Sequence, residues 1–377
     1  MHGSPPPRTT RPLRLTLLGA GVAGLAAATL LSRDGHHVEL LDERFSIPAV
    51  GTSLGLFGPA QQVLGRIGVL EAVRELSAAP ERGTLRAADG RVLAEIPAGG
   101  ALLLPRSTLV RLLQEALPAE VRTVRRRIED VRPLRARADL LIGADGVHSL
   151  VRRSGWPGRP GARSHGMTVL RGTAEGTPLE ISETWGGGWL FGITPLAGEG
   201  TNWFACLPEH RAPSTRASLE HLRSVVGGRR AAIDEVLAAA SPERTLVHGI
   251  RTVPALVPVQ DRAVLLGDAA HAMAPNLGHG ANTALADAAA LADVLAQDRP
   301  EGTGRGRSGL GLGLGEPGRD LTAALRAYAL RRTLPGQAWR IGSGMMLRLA
   351  MMDGAAPLRD RLLGGAPLTT PPAPLAG

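Results

Sequence analysis

Residues 13–24 read Leu-Arg-Leu-Thr-Leu-Leu-Gly-Ala-Gly-Val-Ala-Gly, and the order of those parts decides the fold. Leu13–Leu18 is a short apolar run of the kind that makes a buried parallel strand. Gly19, Gly21 and Gly24 then fall in the spacing G-x-G-x-x-G. The first glycine permits a tight turn after the strand, the second lets a pyrophosphate approach the backbone, and the third lets helix and strand pack closely. Leu25–Ser32 is rich in Ala and Leu and predicts a helix that stops at Gly35. The start of that helix offers free N–H groups and a positive dipole end to phosphate. Val38–Leu41 predicts a second strand, which completes a βαβ start. Asp42 ends it, eighteen residues beyond Gly24, close to the ~20 expected of a carboxylate that binds a ribose. Such a carboxylate repels a 2′-phosphate, so the dinucleotide expected here carries none on that ribose. The alternation Val38, Leu40, Asp42 favours Asp42 over Glu43 for the role.

Working outward, the chain keeps an α/β pattern. Arg106–Leu117 has helical spacing, with Leu109, Leu112, Leu113 and Leu117 on one side. Ala138–Ile142 predicts a strand that runs into Gly143-Ala-Asp-Gly146, and Ala263–Leu266 another that runs into Gly267-Asp-Ala-Ala-His271. Between them Thr168–Arg171, Ile181–Trp185, Trp189–Thr194 and Asn202–Leu207 are short alternating or apolar segments, which predict a second sheet. Leu219–Val226, Arg230–Ala239 and about Ala281–Leu295 read as helices, and Leu321–Arg332 and Pro335–Leu349 as two more near the end. Met1–Pro12 reads as a disordered Pro/Arg tail and the Gly-rich Arg299–Gly318 as a flexible surface loop.

Composition narrows the function classes. The 377 residues carry 43 basic and 34 acidic side chains, for a net charge of +9, and every basic residue is Arg. Seven Arg lie between Arg122 and Arg137, but Glu129 and Asp130 interrupt them, and aromatic residues make up only 3% of the chain. That is little material for stacking bases, so a solvated face is expected there and no nucleic-acid partner. An anionic cofactor uses part of the charge. The single cysteine, Cys206, excludes an internal disulfide and a Cys-based zinc site, and fits a reducing, cytoplasmic compartment. No apolar run approaches the ~18 residues of a membrane span, and the tail lacks the apolar stretch of a secretory signal. His36-His37 lack further ligands for a metal. No nucleophile-elbow motif supports a serine triad.

Three further segments carry a resemblance. They are Leu140-Leu-Ile-Gly-Ala-Asp-Gly-Val-His-Ser149 with Val151 and Arg152, then Gly267-Asp-Ala-Ala-His-Ala272 running through Pro275, Gly278, Gly280, Ala281, Asn282 and Asp287, and Pro105-Arg106-Ser-Thr-Leu109. In order and spacing the set closely resembles the FAD-dependent monooxygenases of the aromatic-hydroxylase type, similar to para-hydroxybenzoate and salicylate hydroxylases, from about Leu13 to Ala350. The resemblance implies an α/β fold: a Rossmann-type FAD-binding domain, a second mixed β-sheet domain for substrate, and C-terminal helices. The expected bounds are 13–163 with 250–298 for the first, 164–249 for the second, 299–320 for the loop and 321–377 for the last helices and tail.

The resemblance also implies roles. Gly19, Gly21 and Gly24 hold the FAD pyrophosphate and Asp42 the adenosine ribose. Arg106 lies near flavin and pyrophosphate, where a guanidinium fork suits phosphate oxygens. Asp145 and Gly146 serve FAD and the nicotinamide cofactor, Asp268 bonds the ribityl hydroxyls, and Gly278, Gly280, Ala281 and Asn282 bring backbone N–H groups to the flavin ring, where they stabilise negative charge. Read alone, Asp145 could equally cap a turn, Asp268 cap a helix and Arg106 pair with a carboxylate. Trp185, Trp189, Phe191 and Trp203 gather in the second sheet as walls of a pocket for a planar substrate, with ordinary sheet core as the competing reading.

The implied activity is hydroxylation or epoxidation of an aromatic or polycyclic small molecule, with NAD(P)H as transient reductant and dioxygen delivered through a flavin hydroperoxide. No side chain is singled out as a catalytic base. An FAD-dependent reductase without oxygen transfer, or an inactive flavin-binding regulator, are the alternatives. The chain departs from the family at His279, where glutamine is common, and at Ala286, where glutamate often precedes the aspartate. His279 could shuttle protons or simply pack, and packing is the preferred reading. Val121–Asp139 leaves little room for the usual hairpin on the adenine side.

Overall fold

The computed structural model describes residues 12–45, 47, 52–156, 158, 161–178, 180–198, 200–296 and 317–364, with 317–320 described as backbone only. Residues 1–11 of the expected tail and 299–316 of the expected loop lie outside them. From the N-terminal side, β1 (Arg14–Leu18) passes through the glycine turn into α1 (Val22–Arg33) and β2 (His37–Asp42). Strands β1 and β2 run parallel, from Arg14 opposite His37 to Leu18 opposite Leu41. Ten consecutive residues of α1, Val22–Leu31, are buried, as expected of a helix apolar all round and covered on both sides.

The chain continues through β3 (Ser53–Leu56), α2 (Gly58–Ile67), α3 (Leu70–Glu75), β4 (Arg82–Ala87), β5 (Val92–Pro97), β6 (Leu102–Pro105), α4 (Arg106–Glu115), β7 (Arg122–Arg125), α5 (Arg132–Arg137), β8 (Leu140–Gly143) and α6 (Leu150–Gly155). There follow β9 (Arg163–Ala174), β10 (Ser182–Trp185), β11 (Leu190–Pro195), β12 (Thr201–Pro208), α7 (Thr215–Val226), α8 (Ala231–Ala239) and β13 (Thr245–Thr252). The last elements are β14 (Val259–Gln260), β15 (Ala263–Leu265), α9 (Asp268–His271), α10 (Gly280–Leu295), α11 (Pro317–Ala350) and α12 (Ala356–Leu363). Among the described residues no helix is long and apolar enough to cross a membrane.

The first sheet has the order β14-β15-β8-β1-β2-β7 and is parallel apart from its β14 edge. From β1 the chain moves to β2 on one side and later returns to β8 on the other. That reversal opens a crevice beyond the carboxyl ends of β1 and β8, where open α/β sheets bind their ligands. The second sheet, β13-β9-β12-β11-β10-β4-β5, is antiparallel except where β10 meets β4. Its outer face packs Leu170, Phe191, Ile193, Trp203 and Leu207 against Leu219, Leu222, Ile233 and Leu237 of α7 and α8. Its inner face carries Val169, Trp185, Leu190 and Cys206 toward Leu347 and Ala350 of α11.

Three expectations are corrected. Strands β4 and β5 belong to the second sheet, although the bounds 13–163 put them with the first. Ser182 of β10 pairs with Thr84 of β4, and Leu85, Ala87 and Leu93 join the inner apolar cluster, so burial pulls the hairpin across. Strand β13 likewise carries the second sheet past 249 to Thr252. At the other end, the two expected helices are one, and it begins at Pro317 inside the expected loop. Pro335 removes one helical hydrogen bond, but packing on both sides of it holds the axis. Arg332 is bonded to buried Asp287 at 2.7 Å, and Trp339 stacks on His279 with ring centroids 3.5 Å apart. The segment from Val121 to Asp139 holds no hairpin: β7 pairs in parallel with β2 and α5 follows it.

Candidate functional site

A cavity of about 730 Å³ fills the crevice. Gly21, Val22 and Ala23 form one end, Asp268, Gly278, Gly280 and Ala281 the other, and Val169, Arg171, Leu190, Phe204 and His248 of the second sheet the facing wall. The glycine turn is built by close contacts. Gly19 has φ +106°, and a Cβ there would run into the Ala144 carbonyl. A Cβ on Gly24 would run into the Gly19 carbonyl, whereas the space above Gly21 is open. The first bond inside α1 runs from Leu25 N–H to Gly21 O, so the N–H groups of Val22, Ala23 and Gly24 are the free donors of a helix start.

Asp42 stands behind this turn. One of its oxygens accepts from Ala20 N at 2.7 Å and the other from Arg44 N at 2.9 Å. It orders the turn and does not line the cavity. Asp145 is also behind the wall, where Oδ2 accepts from Leu150 N at 2.6 Å and Val151 N at 3.2 Å. It caps α6, its Oδ1 is buried with no hydrogen-bond partner among the described residues, and burial raises its pKa. Gly146 beside it does line the cavity. Arg152, 2% exposed, donates to the carbonyls of Ala269 at 2.7 Å and Val147 at 2.6 Å and so ties α6 to α9.

The far end is held by one carboxylate that sequence reading left without a role. Asp287 is 0% exposed and accepts from Gly267 N at 2.8 Å, His271 Nε2 at 2.6 Å and Arg332 Nε at 2.7 Å. Burial alone would raise its pKa, but the His271 and Arg332 charges hold it low. Burial would lower that of His271, and Asp287 outweighs it, so the imidazole is raised. The hub fixes Gly267, and with it Asp268, whose exposed carboxylate faces the cavity. Asn282 is used up structurally: Oδ1 accepts from Phe57 N at 2.9 Å, and Nδ2 donates to the Gly55 and Gly278 carbonyls. Its side chain pins β3 to the glycine loop, leaving the N–H groups of Gly280, Ala281 and Asn282 as the unbonded start of α10. His279 packs. Its ring lies between Phe57 at 4.7 Å and Trp339 at 3.5 Å, Nδ1 meets the Leu277 carbonyl at 2.6 Å, and burial lowers its pKa.

The four aromatic residues expected to wall the substrate pocket do not line this cavity. Trp189, Phe191 and Trp203 lie in the outer cluster under α7 and α8, and Trp185 packs in the inner cluster beneath Arg359, 5.5 Å from its ring. Strand alternation explains the result: Phe191 and Trp203 point away from the faces that Leu190 and Phe204 present. The wall residues that sequence reading missed are Arg171, Asn202, Phe204 and His248. Arg171 had a signal, being a charge on the same strand face as apolar Val169. Its side chain meets no hydrogen-bond or ion-pair partner among the described residues, and burial and Arg106 lower its pKa to about 10. Burial with Arg171 and Arg106 holds His248 down at about 4, so it is neutral at pH 7. Burial raises the Cys206 thiol to about 12, which makes it an inert wall group.

Comparison with known proteins gives this geometry a family. The FAD binding domain family matches residues 105–305, and an NAD(P)-binding Rossmann-like domain matches 18–47. The chain belongs to the FAD-dependent monooxygenases. It is 30% identical to aurachin C monooxygenase/isomerase of Stigmatella aurantiaca, over 75% of this chain and 81% of the relative. It is 31% identical to 3-amino-4-hydroxybenzoate 2-monooxygenase of Streptomyces cremeus, over 76% and 79%. Among solved structures it superposes on Klebsiella pneumoniae HpxO complexed with FAD and uric acid with a TM-score of 0.77 at 20% identity, covering 94% of this chain and 93% of that one. Pseudomonas aeruginosa PqsL in complex with 2-aminobenzoylacetate gives 0.75 at 25% identity, covering 94% and 99%. FAD is the cofactor of this monooxygenase and NAD(P)H its reductant.

The chain's own residues fit that cofactor. The free N–H groups at the start of α1 and the open space over Gly21 suit a pyrophosphate. Arg106, the first residue of α4, reaches the cavity with no side-chain partner among the described residues. The Asp268 carboxylate, with no side-chain partner among the described residues, would suit hydroxyls, and the start of α10 would supply donors for a ring that gains negative charge.

Proposed function

We propose that this monooxygenase hydroxylates an aromatic small molecule with dioxygen as co-substrate, and that the ring carries an acidic group which pairs with Arg171. The observation that carries the reading is the single cavity joining the α1 start, the Asp268–Ala281 end and the sheet wall. The names of relatives such as 3-amino-4-hydroxybenzoate 2-monooxygenase support the substrate class. Bound FAD supplies the redox chemistry, taking electrons from NAD(P)H and activating dioxygen.

The protein's part is placement. Gly21 to Ala23, Gly146 and Arg106 hold the phosphates, with Asp42 and Asp145 ordering the two turns behind them. Asp268 accepts from the ribityl hydroxyls, and the backbone donors of Gly280, Ala281 and Asn282 stabilise negative charge on the ring. Val169, Leu190, Phe204 and Ile250 make the facing wall apolar and exclude water. Arg171 orients the ring by its acidic group; neutral His248 beside it accepts or donates one hydrogen bond without adding charge.

The test is a screen of hydroxybenzoates and hydroxy-heteroaromatic acids, with their amides and methyl esters, for stimulated NAD(P)H consumption. Product mass is read under ¹⁸O-labelled dioxygen. One label per product, with acids preferred over their neutral analogues, supports the reading. Bound flavin that NAD(P)H bleaches while no compound ever gains label would refute it.

A further inference from the structure

Helix α11 turns an apolar face outward. Leu330 is 81% exposed, Leu334 77%, Ile341 52% and Met345 63%. At about 100° and 1.5 Å per residue these four side chains fall in a stripe roughly 60° wide and about 22 Å long. Single exposed leucines are common on protein surfaces, but a contiguous stripe marks a contact. Arg326, Arg331 and Arg348 are exposed on or beside the same face, and from Leu321 to Met352 the chain has five Arg and no Asp or Glu. None of these three guanidinium groups has a side-chain partner among the described residues. Helix α12 repeats the pattern on one turn, with Leu358 59% and Leu362 68% exposed and Arg361 exposed beside them.

Charge decides between the possible occupants. A second copy of this chain, meeting the stripe face to face, brings Arg against Arg, with no Asp or Glu between 321 and 352 to separate them. An anionic lipid surface meets both features at once: the apolar side chains enter the acyl boundary and the arginines pair with phosphate headgroups. From the juxtaposition of the Leu330–Met345 stripe with Arg326, Arg331 and Arg348 on a stretch of helix that carries no Asp or Glu from 321 to 350, we infer that α11 docks the enzyme in the plane of an anionic membrane surface. The opposite face of α11 packs on the cavity side, with Trp339 against His279 and Gly336 against His271. Docking therefore leaves the site's packing untouched.

The test is sedimentation of the flavin-loaded enzyme with large vesicles of phosphatidylcholine alone and of phosphatidylcholine with one-quarter phosphatidylglycerol, at low and high salt. Binding is expected to the anionic vesicles only and to weaken in salt. The double substitution R331Q/R348Q should lower the partition constant about 30-fold, and L334E/M345E should abolish binding, both with flavin content unchanged. Failure of the wild-type enzyme to sediment with anionic vesicles overturns the inference, as does equal binding to both vesicle types. A micromolar dimer by analytical ultracentrifugation that L334E/M345E dissociates would assign the stripe to a second copy and also overturn it. These readouts are independent of substrate turnover.

Discussion

Replacing Asp287 by Asn tests the claim that one buried carboxylate sets the far end of the cavity. The side chain has no solvent exposure and accepts from a backbone N–H, an imidazole and a guanidinium, all at 2.6–2.8 Å. An amide keeps one acceptor oxygen, but its NH2 group must then face a donor, and the Arg332 charge loses its counterion. Removing one partner of such a buried network costs about 3–5 kcal/mol, a large share of the ~5–15 kcal/mol that holds a native protein together. At roughly 2 °C per kcal/mol for a chain above 150–250 residues, the thermal midpoint should fall by about 6–10 °C.

Flavin should also leave earlier, since Gly267 and Asp268 lose their anchor. Release followed by flavin fluorescence during heating should precede loss of far-UV ellipticity in the variant and coincide with it in the wild type. The pH dependence has a fixed sign. His271, raised by Asp287, stabilises fully below its unfolded value near 6.5 and loses that contribution as pH rises through its folded value. Asp287, held low, contributes above its unfolded value near 3.8 and loses it as pH falls through its folded value. The stabilisation that Asp287 supplies, read as the midpoint difference between wild type and D287N at each pH, should therefore shrink on both sides of that window. A midpoint within 2 °C of wild type, with flavin retained, would refute the assignment of Asp287 as the hub.

Other outcomes follow from the same contacts. G24A should fail to fold or to bind flavin, because its Cβ meets the Gly19 carbonyl, while G21A should fold normally and lose flavin affinity, because its Cβ enters the open space proposed for the phosphates; flavin titration separates the two. W203A should cost about 3–5 kcal/mol in denaturant unfolding and leave the substrate profile alone, whereas F204A should change which substrates stimulate NAD(P)H consumption. Burial raises the Glu183 carboxyl to about 7, so the Glu183 contribution to stability should fall as pH rises from about 4.5 to 7. E183Q keeps an oxygen for Trp185 Nε1, now at 2.6 Å from Glu183 Oε1, and should be more stable than wild type by roughly 1–3 kcal/mol at pH 8; equal stability there would overturn it.

The local parts of the fold were legible because they depend on neighbours in sequence. Leu13 to Gly24 dictates a strand, a tight turn and a helix start through contacts that span a dozen residues. The ends of strands at Gly143 and Leu265, the Ala-rich α10 and the strands of the second sheet were readable for the same reason. The hairpin β4–β5 carried a signal in Asp89-Gly90, a turn-forming pair, but nothing local says which sheet its strands join. The continuity of α11 was equally hidden, since Pro335 argues locally for a break and the contacts to distant Asp287 and His279 hold the helix on both sides of it.

The site divides along the same line. Sequence alone determined that the chain carries a dinucleotide turn and a glycine loop after a second strand end, because phosphates and flavin rings are met by backbone geometry that short motifs encode. Only the tertiary structure decided which side chains face the cavity and which support it from behind. Asp42, Asp145 and Asn282 order the turns and loop, Arg171 and His248 line the wall, and the aromatic cluster serves the core. The physical reason is that a strand's alternation fixes two faces but leaves open which one meets helices α7 and α8 and which lines the cavity. That choice belongs to the packing of whole layers, each burying the larger apolar set.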